Sequence, residues 1–133
     1  MPTFILNKLV RDAIPERQVS DDQNPVYYKL DPAEHAEALV AKIIEEAQEI
    51  PVVQSDEAVA EIADVQQALD DLKALLGITD ADVQQAQLVK REHSGGFRDG
   101  MFVETVRVAE GSKWADYYRS EPERFTEITD ETD

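Results

Sequence analysis

The 133-residue chain contains no cysteine, which excludes a disulfide frame, a thiolate nucleophile, a zinc ribbon and an iron–sulfur cluster. Imidazole is nearly as scarce, since His35 and His93 are the whole supply, and a metal held here is therefore expected to be held by oxygen. Positive charge is short as well. Thirteen Lys+Arg face 29 Asp+Glu for a formal net charge of −16, so binding to a nucleic acid polymer or to anionic lipid runs against long-range repulsion. Long apolar runs are missing. Phe4-Ile5-Leu6 is too short for the core of a signal segment, and no stretch approaches the ~18 apolar residues of a membrane span. The expected address is cytoplasmic, with neither a membrane nor a nucleic acid polymer as partner. What is present, 42% hydrophobic residues over this length, fits one domain spanning 1–133.

Within that domain the expected order is an N-terminal arm (1–30), a helical core (31–93) and a C-terminal appendage (94–133). The arm carries Phe4, Ile5, Leu6, Leu9 and Val10 around Lys8, Arg11 and Asp12. Ser20-Asp21-Asp22-Gln23-Asn24-Pro25 is a cluster of turn formers, and Val26-Tyr27-Tyr28-Lys29-Leu30 reads as a brief extended segment. Asp31 then offers an N-cap with Pro32 at the first helical position, and Ala36, Leu39, Val40, Ile43, Ala47 and Ile50 recur at helical spacing up to Pro51. A second helix starts at the Ser55 cap and runs from Asp56 to Leu76, where Gly77 stops it. Thr79 caps a third, shorter one that ends near His93. Beyond Gly95-Gly96, the β-branched segment Met101–Val108 reads as one or two short strands, and Trp114, Tyr117 and Tyr118 stand at i, i+3 and i+4. The expected fold is mainly α, with antiparallel helices building a four-helix-bundle-type core completed by a second copy and a small β or irregular C-terminal appendage.

Carboxylates stand unusually close to the apolar faces. At about 100° per residue from Glu46, the apolar set of the first helix spans about 20° to 120° and Glu49 falls near 300°. Counted from Glu61, the apolar set Ile62, Val65, Leu69, Leu72 and Leu76 spans about 20° to 100°, while Asp64 lies near 300° with Ala68 and Leu75 just inside it. Each helix thus carries an acid pair at i, i+3 on the border of its buried face. If the two faces pack together, Glu46, Glu49, Glu61 and Asp64 converge, and a divalent ion or protons must neutralise them. An all-oxygen donor set suits Mg²⁺ or Mn²⁺, and Mg²⁺ commonly completes its octahedron with substrate phosphate oxygens. A di-iron centre requires a Glu-x-x-His on each of two helices, which neither histidine supplies. The plainer alternative is a set of solvated helix acids in an acid-rich chain.

Glu45-Glu46-Ala47-Gln48-Glu49, followed after eleven residues by Glu61-Ile62-Ala63-Asp64, resembles the signature of the all-α nucleoside triphosphate pyrophosphohydrolases of the MazG-like superfamily. Asn7-Lys8-Leu9-Val10-Arg11-Asp12 with Ile14-Pro15-Glu16, Lys42, and Lys90-Arg91 ahead of Gly95-Gly96-Phe97 are similar to the subgroup related to phosphoribosyl-ATP pyrophosphohydrolase. Ala13 stands where that subgroup commonly has Lys, and Ser94 where it commonly has Arg. The resemblance implies a Mg²⁺-dependent enzyme, dimeric or tetrameric, that cleaves a nucleotide between the α and β phosphates to a monophosphate and pyrophosphate.

It also implies roles: Glu46, Glu49, Glu61 and Asp64 as metal ligands, and Glu45 orienting or deprotonating the attacking water. Lys8, Arg11, Lys42, Lys90 and Arg91 are the cations expected around the phosphates, because positive charge stabilises a transferring phosphoryl group. Lys42, near 320° from Glu46, shares the acidic border. On the residues alone, Lys8 and Arg11 fit equally well a surface arm paired with Asp12 or Glu16. The aromatic triplet fits packing better than base stacking. From another class, a non-catalytic acidic protein that binds divalent ions or a basic partner also accounts for the composition.

Overall fold

The computed structural model describes residues 1–128 and contains five helices and no strand among them. By internal contacts the chain falls into two compact units, one from Met1 to Ser94 and one from Gly95 onward.

In the first unit, α1 (Ile14–Ser20) is a short helix inside the arm, with a proline in its first turn. It is followed by α2 (Pro32–Gln48), α3 (Asp56–Leu76) and α4 (Asp80–Ser94). Their ends follow from local chemistry. The Asp31 carboxylate accepts from the Glu34 N–H at 2.9 Å, and the Ser55 hydroxyl accepts from the Ala58 N–H at 3.2 Å, each satisfying one of the donors that a helix start leaves open. Gly77 closes α3 at φ 69°, a left-handed conformation that glycine adopts without a Cβ clash. Thr79 and Asp82 cap α4 reciprocally: the Asp82 N–H donates to the Thr79 hydroxyl at 3.1 Å, and the Thr79 N–H to the Asp82 carboxylate at 3.0 Å. The sequence predicts the first long helix to Ile50, but α2 stops at Gln48 with Glu49 as its C-cap. Pro51 accounts for this, because it disfavours helical backbone at the residue before it.

α2 and α3 pack against each other, with the last turns of α2 beside the first turns of α3, as in an antiparallel pair. Leu39 and Ala68 are the buried apolar residues of this unit, and no large side chain anywhere among the described residues is fully buried. The phase of α3 differs from the sequence expectation. Ala68 is buried and Glu61, Asp64, Val65, Leu72 and Leu75 are half-buried, whereas Ile62, Leu69 and Leu76 are exposed. Glu61 therefore lies in the middle of the covered face of α3, with Asp64 at its edge. α4 is exposed along its length apart from half-buried Val83.

In the second unit, the strands expected within 101–108 do not form, and Met101, Phe102, Val103 and Val106 are exposed. β-branched residues favour a strand only where another strand completes the ladder and a neighbouring surface takes their side chains. Helix α5 (Lys113–Ser120) follows, capped by the Ser112 hydroxyl accepting from the Ala115 N–H at 3.2 Å. Tyr117, Tyr118 and Phe125 pack ring against ring, with Tyr118 and Phe125 edge to face at 4.9 Å between centroids. Arg119 ties the unit together by donating to Glu110 at 2.5 Å and Glu127 at 2.7 Å.

Candidate metal centre

Glu46, Glu61 and Asp64 each place a carboxylate oxygen within 4.8 Å of the other two. The helix pairing brings them together: Glu46 projects from the last turns of α2, and Glu61 and Asp64 sit one turn apart near the start of α3. Glu46 is buried at 7% exposure, the one buried charged residue among those described, and a buried carboxylate requires a partner. Lys42, one turn earlier on α2, supplies it at 3.1 Å and also reaches Glu45 at 3.3 Å. Burial pulls the Lys42 ammonium toward a lower pKa, but its hydrogen bonds to Glu46 and Glu45 outweigh this and leave it above the usual lysine value.

Glu61 has no such partner. Its Oε2 atom is buried and no hydrogen-bond donor reaches it. A proton shared with Glu46 is the main cause that raises its pKa to about 7, with burial and the charges of Glu49, Glu46 and Asp64 adding to it. A divalent cation would satisfy the same oxygen without the proton. The three-carboxylate set, all oxygen and near neutral in pH demand, thus fits Mg²⁺ or Mn²⁺.

This predicts a pH dependence of folding. Glu61 titrates near its ordinary value of 4.5 in the unfolded chain and at about 7 in the fold, so between those values the folded state binds more protons and stability falls as pH rises. Its contribution is full below about 4.5 and is lost as pH passes through about 7. Denaturant midpoints measured in chelator at pH 5.5 and 8 are expected to drop for wild type and to drop less for Glu61→Gln; equal slopes for the two proteins would remove Glu61 as the cause.

The remaining predicted site residues divide. Glu45 is half-buried beside Glu46 and is held by Lys42 and, at 3.7 Å, by Lys8. Arg11 donates to Asp64 at 2.6 Å. These long-range pairs take the place of the local Asp12 and Glu16 partners that the sequence offers for the arm; half-buried Leu9 and Val10 between the two cations are the signal that the arm folds back. Glu49 is exposed at the end of α2 and stands outside the triad, though its charge is felt at Glu61. Lys90 and Arg91 make no hydrogen bond or ion pair with the acidic residues among the described residues. Lys90 instead lines a shallow groove with Ile78, Asp82, Val83, Ala86 and Gln87. No described helix is long and apolar enough to cross a membrane. Compared with known protein families, curated proteins and solved structures, the chain matches none.

Proposed function

We propose that the chain hydrolyses a nucleoside triphosphate, or a related nucleotide, between the α and β phosphates with Mg²⁺, releasing a monophosphate and pyrophosphate. The observation that carries this reading is the buried Glu61 oxygen that no donor reaches, set among two further carboxylates and bordered by Lys8, Arg11 and Lys42. Carboxylates gathered at that cost ask for a cation, and cations gathered around carboxylates ask for an anion that outbids them. A metal-bound polyphosphate meets both demands. The choice of the α–β bond comes from the resemblance to the MazG-like enzymes in Glu45–Asp64.

Glu46, Glu61 and Asp64 would hold the ion, with Glu49, whose charge is felt at Glu61, as a further candidate ligand. The ion, when bound, supplies a Lewis acid and an acidified water. Glu45, beside Glu46 and paired with Lys8 and Lys42, would be the carboxylate to accept a proton from the attacking water. Lys8, Lys42 and Arg11 face the charge that develops on the leaving pyrophosphate. No side-chain nucleophile is needed. The exposed apolar stripe of α3 supports a second part of the reading, a homodimer in which a second copy covers Ile62, Leu69 and Leu76.

The test is pyrophosphate release from a panel of canonical and modified NTPs and dNTPs with Mg²⁺, with Mn²⁺ and with chelator. Release that requires a metal is expected for at least one nucleotide. Survival of every nucleotide with both metals, from protein shown by circular dichroism to be helical, would leave the non-catalytic binding protein as the better reading.

A further inference from the structure

The three carboxylates of the triad differ in what neutralises them. Glu46 has Lys42, a neighbour on its own helix with a side chain only 20% exposed, and the short tether between them keeps that pair together. Glu61 has no donor on its buried oxygen. Asp64 has Arg11, which arrives from the arm 53 residues away in sequence and donates at 2.6 Å to Oδ1. Arg11 is also the more exposed of the two cations, at 58% against 20%, so water can replace its contact at little cost.

A divalent ion at Glu46, Glu61 and Asp64 and the Arg11 guanidinium compete for the same carboxylate. Like charges at that range repel, and the ion carries twice the charge. A phosphate group resolves the conflict, because two of its oxygens offer the planar guanidinium a bidentate, up to doubly charged acceptor in place of a carboxylate already committed to the ion. Lys42 is less free to make this exchange, since its side chain is only 20% exposed and its partner Glu46 lies one turn away on the same helix. Resting on the metal-site reading above, we propose that Arg11 is a displaceable counter-ion of the divalent site: it opposes binding of the ion alone and passes from Asp64 to the substrate's phosphates, coupling metal affinity to phosphate affinity. Linkage makes the coupling reciprocal, so phosphate must tighten the ion by the factor by which the ion tightens phosphate.

The experiment is Mn²⁺ titration of the full chain, with free Mn²⁺ read by electron paramagnetic resonance, alone and at fixed millimolar inorganic phosphate. Wild type is compared with Arg11→Gln and with Arg17→Gln, which removes the same charge from an exposed position on α1. Without phosphate, Arg11→Gln is expected to bind Mn²⁺ about threefold to fivefold more tightly than wild type, the scale of an exposed ion pair, and Arg17→Gln to stay near wild type. Phosphate is expected to tighten Mn²⁺ on wild type severalfold and to have less effect on Arg11→Gln. Mn²⁺ binding that is equal in wild type and Arg11→Gln, or equally increased by both substitutions, or a phosphate effect that survives the loss of Arg11, would overturn the counter-ion role and leave the metal site standing. Absence of Mn²⁺ binding to every protein would overturn the metal site and the counter-ion role together.

Discussion

Glu61→Gln is expected to lower pyrophosphate release by about 10²- to 10³-fold, the scale on which loss of one group that stabilises transition-state charge is felt, while making the protein more stable in chelator near pH 8. The two effects have one cause. Above pH 7 Glu61 is an anion facing Glu46 and Asp64, and the amide removes that repulsion at nearly constant volume. The same amide is a poor ligand for a hard cation, which prefers charged oxygen. A site that costs stability in order to hold an ion should gain stability when it is disabled. Turnover, Mn²⁺ affinity and denaturant midpoint measured on one preparation check the reading. A variant that loses activity and stability together would instead mark Glu61 as a packing residue, and a variant with unchanged turnover would remove the triad from catalysis. The parallel measurement on Glu49→Gln asks whether this exposed carboxylate joins the ion: a loss equal to that of Glu61→Gln means that it does.

The sequence carries the limits of the long helices well because their causes are local. Asp31 with Pro32, Ser55, Gly77 and Thr79 each act within one turn, and the structure bears out each as a terminus; the reciprocal bond from Asp82 is added by the structure. The meeting of Glu46 with Glu61 and Asp64 was also legible, from helical spacing and the assumption that the two apolar faces pack. What local spacing does not carry is the phase of that packing. The stripe of α3 is wide enough to be centred on Leu69 or on Ala68, and the choice depends on the surface of α2 that it meets. A center at Ala68 draws Glu61 and Asp64 inward and turns Ile62 and Leu69 out. The partners of Lys8 and Arg11 were hidden for a related reason: Asp12 and Glu16 are near in sequence, while Glu45 and Asp64 come near only when the arm crosses the helix pair. The segment 101–108 shows the limit of propensity, since its residues favour a strand and no strand is there to pair with it among the described residues.

The displaced stripe leads to the last expectation, that Leu69→Glu converts a dimer to a monomer. Ile62, Leu69 and Leu76 recur every seven residues on α3 at 54%, 39% and 55% exposure, and Val40 and Ile44 on α2 are exposed at comparable levels. An apolar seam of this period is what helices use to meet other helices. With Leu39 and Ala68 as the buried apolar residues of the unit, the helix pair by itself buries too little to offset its ordering entropy comfortably. A two-fold interface uses each residue twice, so one substitution removes two leucines from the contact and places two carboxylates there. With 39% of each leucine left to cover and about 1.5–3 kcal/mol for burying a whole leucine, the apolar loss is about 1–2 kcal/mol, or roughly 5- to 50-fold in dimer dissociation constant, and the two carboxylates placed in the contact add to it. The formal charge of −16 per chain opposes pairing, so wild-type association is also expected to strengthen between 50 and 500 mM salt as that repulsion is screened. Sedimentation across a concentration series reads both effects. Wild type that remains monomeric at high salt and high concentration, or a Leu69→Glu protein that dimerises like wild type, would show that this stripe is not where two copies meet.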